Sequence, residues 1–201
     1  MRQFTVRLFK AEDATVAIFA PPDTGKTLST MTACGDFGAS FIAEDLAITD
    51  GKHIFSVPWT NSFDHYAKNK QASNSASKRK AASPEGNVAK ANAILDAEVV
   101  THVAILEKGQ DEVISESNKV AVNKLMNLNR YEFNFLRAPL LIAYEFFNPG
   151  LMIDEGTAIE KDIMTSLVRN SEKAFTLRKR NPTHYAESLL NEMKERKSSR
   201  S

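Results

Sequence analysis

One cysteine among 201 residues, Cys34, excludes an intrachain disulfide and any metal site built from several thiolates. Its place in a helical stretch suits a small buried hydrophobe better than a nucleophile. Charge of one sign is lacking too. With 26 basic residues against 25 acidic ones, nothing suggests bulk nucleic-acid binding. No apolar run approaches 18 residues, so no membrane span is expected, and Met1-Arg2-Gln3 leads almost at once into strand rather than a targeting arm. A cytoplasmic protein is the expectation. His53, His65, His102 and His184 show no metal-ligand spacing to one another. What remains is an ordinary globular composition, 42% hydrophobic and 25% charged, over a length that suits a single domain spanning 1–201.

Against that plain background one stretch stands out, Ala20-Pro21-Pro22-Asp23-Thr24-Gly25-Lys26-Thr27. It follows the apolar run Thr15-Val16-Ala17-Ile18-Phe19 and opens a segment free of proline and glycine until Gly35. Strand, tight loop and helix in that order are what a phosphate-binding loop requires, and the pattern is G-x-x-x-x-G-K-[ST] with alanine first. Pro21 and Pro22 carry no N–H, so the donors to a phosphate must come from Asp23, Thr24, Gly25, Lys26 and Thr27, running on into the helix at Leu28. Lys26 would reach the outer phosphates of ATP, and the Thr27 hydroxyl would ligate Mg²⁺. Asp23 is an oddity, since a carboxylate beside phosphates repels them unless it points outward or meets a cation. The cost of Ala20 depends on whether that position needs a positive φ.

Alternation makes Phe4 to Phe9 a strand, followed by a turn at Ala11-Glu12-Asp13 and the strand Thr15 to Phe19. A helix over about Lys26 to Cys34 is ended by Gly35 and Gly38. Ala39 to Ala43 reads as a buried strand, and Leu46 to Val57 as a hairpin around Asp50-Gly51. Residues 67–90 are basic and serine-rich, with Glu85 the lone acid and almost nothing to bury, which predicts a solvated flexible loop. A strand follows from Val99 to Leu106, closed by Lys108-Gly109. Helices are expected over Glu116 to Asn127, over Glu132 to Phe147 with a kink at Pro139, and from the capping-box tetrad Thr157-Ala158-Ile159-Glu160 to Asn170. Ala174 to Leu177 is a late strand, Asn181-Pro182 caps a helix to Arg196, and residues 197–201 should fray.

A phosphate loop needs an acid for its metal. Phe41-Ile42-Ala43-Glu44-Asp45 ends an apolar strand in two acids, read here as a strand beside the loop strand. One carboxylate could bind Mg²⁺ and the other accept a proton from an attacking hydroxyl. The series A-P-P-D-T-G-K-T, short helix, F-I-A-E-D, then a hairpin with D-G and Val57-Pro58-Trp59-Thr60 resembles the HPr kinase/phosphorylase-related proteins of the phosphoenolpyruvate carboxykinase-like superfamily. The resemblance is clearest over residues 15–60.

That resemblance implies an α/β fold, with α+β left open: a P-loop-containing sheet core of the HPr kinase/phosphoenolpyruvate carboxykinase type with C-terminal helices. It implies a kinase using ATP and Mg²⁺ to phosphorylate a hydroxyl on a protein, a peptide or a small metabolite. Gly25, Lys26 and Thr27 would bind nucleotide and metal, Asp45 would be the metal ligand and Glu44 the general base, with the two acids interchangeable. Glu44 departs from the aspartate common at its place by one methylene, about 1.5 Å of chain. A nucleotide-binding sensor or assembly module with an impaired site is therefore an alternative. An AAA-like ATPase is a weaker one, because its metal acid normally lies further along the chain. Relatives that assemble leave a homo-oligomer open.

Overall fold

The computed structural model describes residues 2–4, 6–43, 47–56, 97–133, 138–148, 150 and 152–194. Their chain order is β1 (Arg2–Phe4), β2 (Arg7–Ala11), β3 (Ala14–Phe19), α1 (Lys26–Asp36), β4 (Ser40–Ala43), β5 (Ala47–Thr49), β6 (His53–Ser56), β7 (Glu98–Val99), β8 (His102–Lys108) and β9 (Glu112–Ser115). Then come α2 (Asn118–Glu132), α3 (Pro139–Phe147), α4 (Ile153–Asn170), β10 (Lys173–Lys179), a 3₁₀ turn (Pro182–His184) and α5 (Tyr185–Lys194). This is a mixed α/β fold with a multi-stranded sheet core and C-terminal helices.

Six strands form the main sheet in the order β4-β2-β3-β8-β10-β9, with β8 parallel to both β3 and β10. A strand paired in parallel on both sides has both faces covered, and β8 accordingly reads as an apolar run whose residues His102 to Leu106 are all buried. Period-2 alternation then divides the core in two. Ala17, Phe19, Val103 and Ile105 face α2 and α4 and pack on Leu125, Met126, Met164 and Leu167. Val16, Ile18, Ala104, Leu106, Phe175 and Leu177 face α1 and α5 and pack on Ala33, Cys34, Tyr185 and Leu189. Burial pushes the Cys34 thiol up to about 12, so it stays protonated and acts as the small hydrophobe its sequence context suggested.

A second, antiparallel sheet, β1-β5-β6-β7, contributes Ala47 and Ile54 to the first of these clusters. Two expected strands are in fact split between the sheets. Phe4 to Phe9 becomes β1 and β2, and Val99 to Leu106 becomes β7 and β8. Alternation reports which face is buried but not which sheet buries it, so the switch leaves no trace in the pattern. At the second switch Thr101 holds the junction. Its hydroxyl donates to the Thr15 carbonyl and accepts from the Thr15 amide, both at 2.9 Å.

β4 is not beside the loop strand, contrary to expectation, because β2 lies between them. It nevertheless runs parallel to β3, and Ala43 and Ala17 lie opposite the same residue, Leu8. β9 went unforeseen because its edge-strand residues are mostly exposed and carry no buried alternation. Pro139 does not kink a long helix. α2 ends at Glu132, and the proline opens α3 in the first turn, where its missing N–H costs nothing. α4 begins at Ile153, so the capping-box threonine lies inside it and donates to the Ile153 carbonyl (3.2 Å). The cap comes instead from α3, where Glu145 Oε1 accepts the Ile153 N–H at 2.7 Å. The 67–90 loop and the 197–201 tail lie outside the described residues.

The Asp50-Gly51 turn is tied down from both sides. Asp50 Oδ1 accepts the His53 and Lys52 amides at 2.7 and 2.8 Å and Oδ2 meets the His53 ring at 3.0 Å, and the His53 bonds above all hold its carboxyl well below the usual range. Gly51 has φ +95 and is pressed against α4, where a Cβ would meet Ser166 Cβ at 2.7 Å and the Ile163 carbonyl at 3.0 Å. Gly38 has φ +72 with nothing within 4 Å. Gly51→Ala should therefore lower stability by about 2–4 kcal/mol, from left-handed strain plus forced repacking. Gly38→Ala should cost only the strain, about 1 kcal/mol. Urea unfolding midpoints of the two variants measure the difference.

Candidate functional site

The singled-out loop leaves β3 at Ala20 and enters α1 at Lys26, so strand, loop and helix follow as the sequence indicated. Ala20 is buried among the α1-side core residues, and it is not one of the described non-glycine residues with positive φ. Alanine there carries no left-handed strain. The positive φ values fall at Asp23 (57) and Gly25 (115), types that tolerate that region. Asp23 is exposed, whereas Thr24 is buried with its hydroxyl on the Pro21 carbonyl at 2.8 Å. The Lys26 amine folds back over the loop and donates to the carbonyls of Ala20 (2.5 Å) and Pro21 (3.4 Å). Helix α1 begins with no side-chain cap and no acid in its first turn. Thr27 is half-buried on that turn, and Leu28 beside it is exposed.

The loop is covered from the far end of the chain. A Cβ on Gly25 would lie 2.8 Å from Pro182 Cβ and 3.7 Å from the Tyr185 ring. Asn181 Oδ1 fixes that cover by accepting the Thr183 amide at 3.1 Å, the capping expected from Asn181-Pro182. Gly25 is thus required twice, by its φ and by the approach of the 3₁₀ turn.

Parallel pairing brings the ends of β3, β8 and β10 to one edge, with Phe19 opposite Ile105 and Glu107 opposite Arg178. Glu107 is an acid at that edge which the sequence reading passed over. An apolar strand ended by an acid singled out Glu44, and Val103-Ala104-Ile105-Leu106-Glu107 has the same form. Its carboxylate is already engaged. Oε1 accepts Lys124 Nζ at 2.8 Å and Oε2 accepts Arg178 Nε at 2.7 Å, while its carbonyl accepts the Tyr185 hydroxyl at 2.6 Å. Lys124 also donates to Glu116 Oε1 (2.9 Å) and Thr176 Oγ1 (2.9 Å), and Arg178 Nη1 to Glu112 Oε1 (2.6 Å). Burial alone would raise the Glu107 and Glu116 carboxyls. The hydrogen bonds from Lys124, Arg178 and Thr176 outweigh it and hold both below the ordinary value. Arg178 has its guanidinium on two carboxylates, those of Glu107 and Glu112.

The two predicted acids, Glu44 and Asp45, lie outside the described residues. The site residues set on one described loop are therefore Asp23, Thr24, Gly25, Lys26, Thr27 and Leu28. Among the described residues no group of three or more His, Cys, Asp or Glu could hold a metal ion, and no helix is long and apolar enough to cross a membrane.

No protein-family model matches the chain, and no curated protein matches it. Among solved structures, the Hpr(Ser) kinase/phosphatase from Coxiella burnetii superposes with a TM-score of 0.37 at 11% identity, covering 58% of this chain and 77% of that one. The likeness is slight and carries no argument about activity.

Two outcomes follow from the contacts. Gly25→Ala should cost about 3 kcal/mol through strain and the Pro182 contact. Pro182→Gly in the same chain should recover the steric part, a coupling of at least about 1 kcal/mol in a double-mutant cycle of urea unfolding. The second outcome concerns pH. Glu107 and Glu116, with folded values below the ordinary 4.5, contribute stability that is complete above that value and lost as pH falls through the lower folded ones. Lys124→Met removes a donor from both carboxyls and should move the acid unfolding midpoint, followed by circular dichroism, to higher pH.

Proposed function

We propose that the chain binds ATP with Mg²⁺ at the β3–α1 loop and transfers phosphate to a hydroxyl group, in the manner of HPr-kinase-like enzymes. The observation that carries this reading is the Lys26 amine held against the loop carbonyls of Ala20 and Pro21, at the start of a helix without cap or first-turn acid. A lysine so placed turns from the carbonyls to an arriving anion with little movement of its backbone. The helix dipole and the amides of Gly25 to Leu28 favour the same charge. The exposed position of Asp23 keeps a carboxylate compatible with that role.

Bound ATP would supply the phosphoryl group, and Mg²⁺ would offset its charge. Lys26 would steady the outer phosphates, and the Thr27 hydroxyl and Asp45 would hold the metal. Glu44 would take the proton of the acceptor hydroxyl as that oxygen bonds to phosphorus and the bond to the departing ADP breaks. Asp45 and Glu44 exchange roles without altering this balance. The acceptor is a hydroxyl-bearing protein, peptide or metabolite.

A second reading, a nucleotide-binding module without transfer, draws support from Glu107. That strand-end acid stands beside the loop strand but is committed to Lys124 and Arg178, so it is not available as a base.

Calorimetry with ATP and ADP, with and without Mg²⁺, tests the common core of both readings. Native protein is expected to bind in the micromolar range, Lys26→Ala at least about tenfold more weakly, and Asp45→Ala without the magnesium effect. Absence of binding by the native chain overturns both. Binding without release of ADP across a panel of hydroxyl acceptors selects the second.

A further inference from the structure

Helix α3 is out of keeping with the rest of the molecule. Its sequence is Pro139-Leu140-Leu141-Ile142-Ala143-Tyr144-Glu145-Phe146-Phe147, and none of these residues is buried. Leu140 is 82% exposed, Phe146 80% and Phe147 78%, with Ile142 and Tyr144 more than half exposed. Large side chains left out of water-free contact in this number are costly, and folded monomers rarely display so wide an apolar patch.

The orientation of the helix is set by its one charge. Glu145 accepts the Ile153 amide at 2.7 Å, and Leu141, one turn away, is half-buried with it. That face looks to the chain's own body. At helical spacing the opposite face carries Leu140, Ala143, Phe146 and Phe147, with Ile142 and Tyr144 on its two flanks, all exposed. The capping bond therefore uses the only ionised group and leaves the outward side without charge.

We propose that α3 is the contact face of a two-fold homodimer, in which α3 of one copy lies antiparallel on α3 of the other. The outward stripe suits its own image. Ala143 sits near the centre and permits close approach, and Leu140 of one copy then meets Phe147 of the other at both ends, as a two-fold contact requires. The five large exposed side chains offer on the order of 800 Å² of surface, the share each partner gives to an interface of standard size. Met152, beside the capped Ile153, is also more than half exposed and extends the patch. A membrane surface is a poorer fit, because a helix lying on lipid carries Lys or Arg on a polar face and α3 has neither. Nine residues, about 13 Å of helix, fall far short of a membrane span. This inference stands apart from the nucleotide reading and does not need it.

Sedimentation velocity of the full chain over a range of concentrations is the test. Native protein is expected to be a dimer at micromolar concentration. The double variant Leu140→Asp/Phe147→Asp should dissociate at least about 30-fold more readily, with unchanged circular dichroism and unfolding midpoint in the monomer, since neither side chain is buried. A second arm uses cysteine pairing. Under mild oxidation Ala143→Cys should give a disulfide-linked dimer and Asp36→Cys, on exposed α1 surface, should not, while the buried Cys34 does not compete. A native protein that stays monomeric overturns the proposal, including one whose α3 is shielded by another segment or needs a different partner. So does a dimer that survives the double aspartate change, or one that crosslinks as readily through Asp36→Cys. Should the aspartate variant fail to fold, the cysteine pair decides alone.

Discussion

Parallel pairing of β8 with β3 on one side and β10 on the other governs the rest of the arrangement. It sets three strand ends at one edge of the sheet, which is where the loop, Glu107 and Arg178 meet. It also obliges both faces of β8 to be covered, and the division of helices between the faces follows. α2 and α4 take one side and α1 and α5 the other, each burying the residues that alternation turns toward it. The loop is thus not an appendage on a finished core. Its first residue, Ala20, is core, and its glycine is pinned beneath Pro182.

The edge carries two kinds of polar chemistry that differ in commitment. Lys124, Glu107, Arg178, Glu116 and Glu112 answer one another in a closed set of bonds, with each cation on two carboxylates. Such a set fastens β8, β10 and α2 together at their ends. The Lys26 amine donates to the neutral backbone carbonyls of Ala20 and Pro21, over which a negatively charged group has the advantage as an acceptor.

Local features were the most legible in the sequence. The strand, loop and helix around Gly25 have a fixed chemical spelling, and so does the Asn181-Pro182 cap. What escaped depends on distant partners. Nothing near Phe4 or Val99 says that the chain changes sheets there, since both sheets ask for the same alternation. Thr157 looked like a cap because its own neighbours fit one, yet Glu145 from the preceding helix supplies it four residues earlier. β4 took the place of a neighbour of β3 in the sequence reading because order along the chain stood in for order across the sheet, and the antiparallel β2 breaks that equivalence. Glu107 had the same local form as Glu44, and nothing in that form shows that Glu107 is spoken for by Lys124 and Arg178.

The contact between Gly25 and Pro182 also bears on how the protein comes into being. On the ribosome, β3, the loop and α1 emerge early, but the surface that closes over the glycine is made only when the chain has reached the 3₁₀ turn and α5. Until then the loop has its sequence and lacks its cover, and Ile18, Ala33 and Cys34 lack the packing of Tyr185 and Leu189. A chain stalled before that point would hold the whole loop motif without a fixed loop. Emergence of the 3₁₀ turn and α5, rather than the appearance of the motif, is what brings the loop to its final shape.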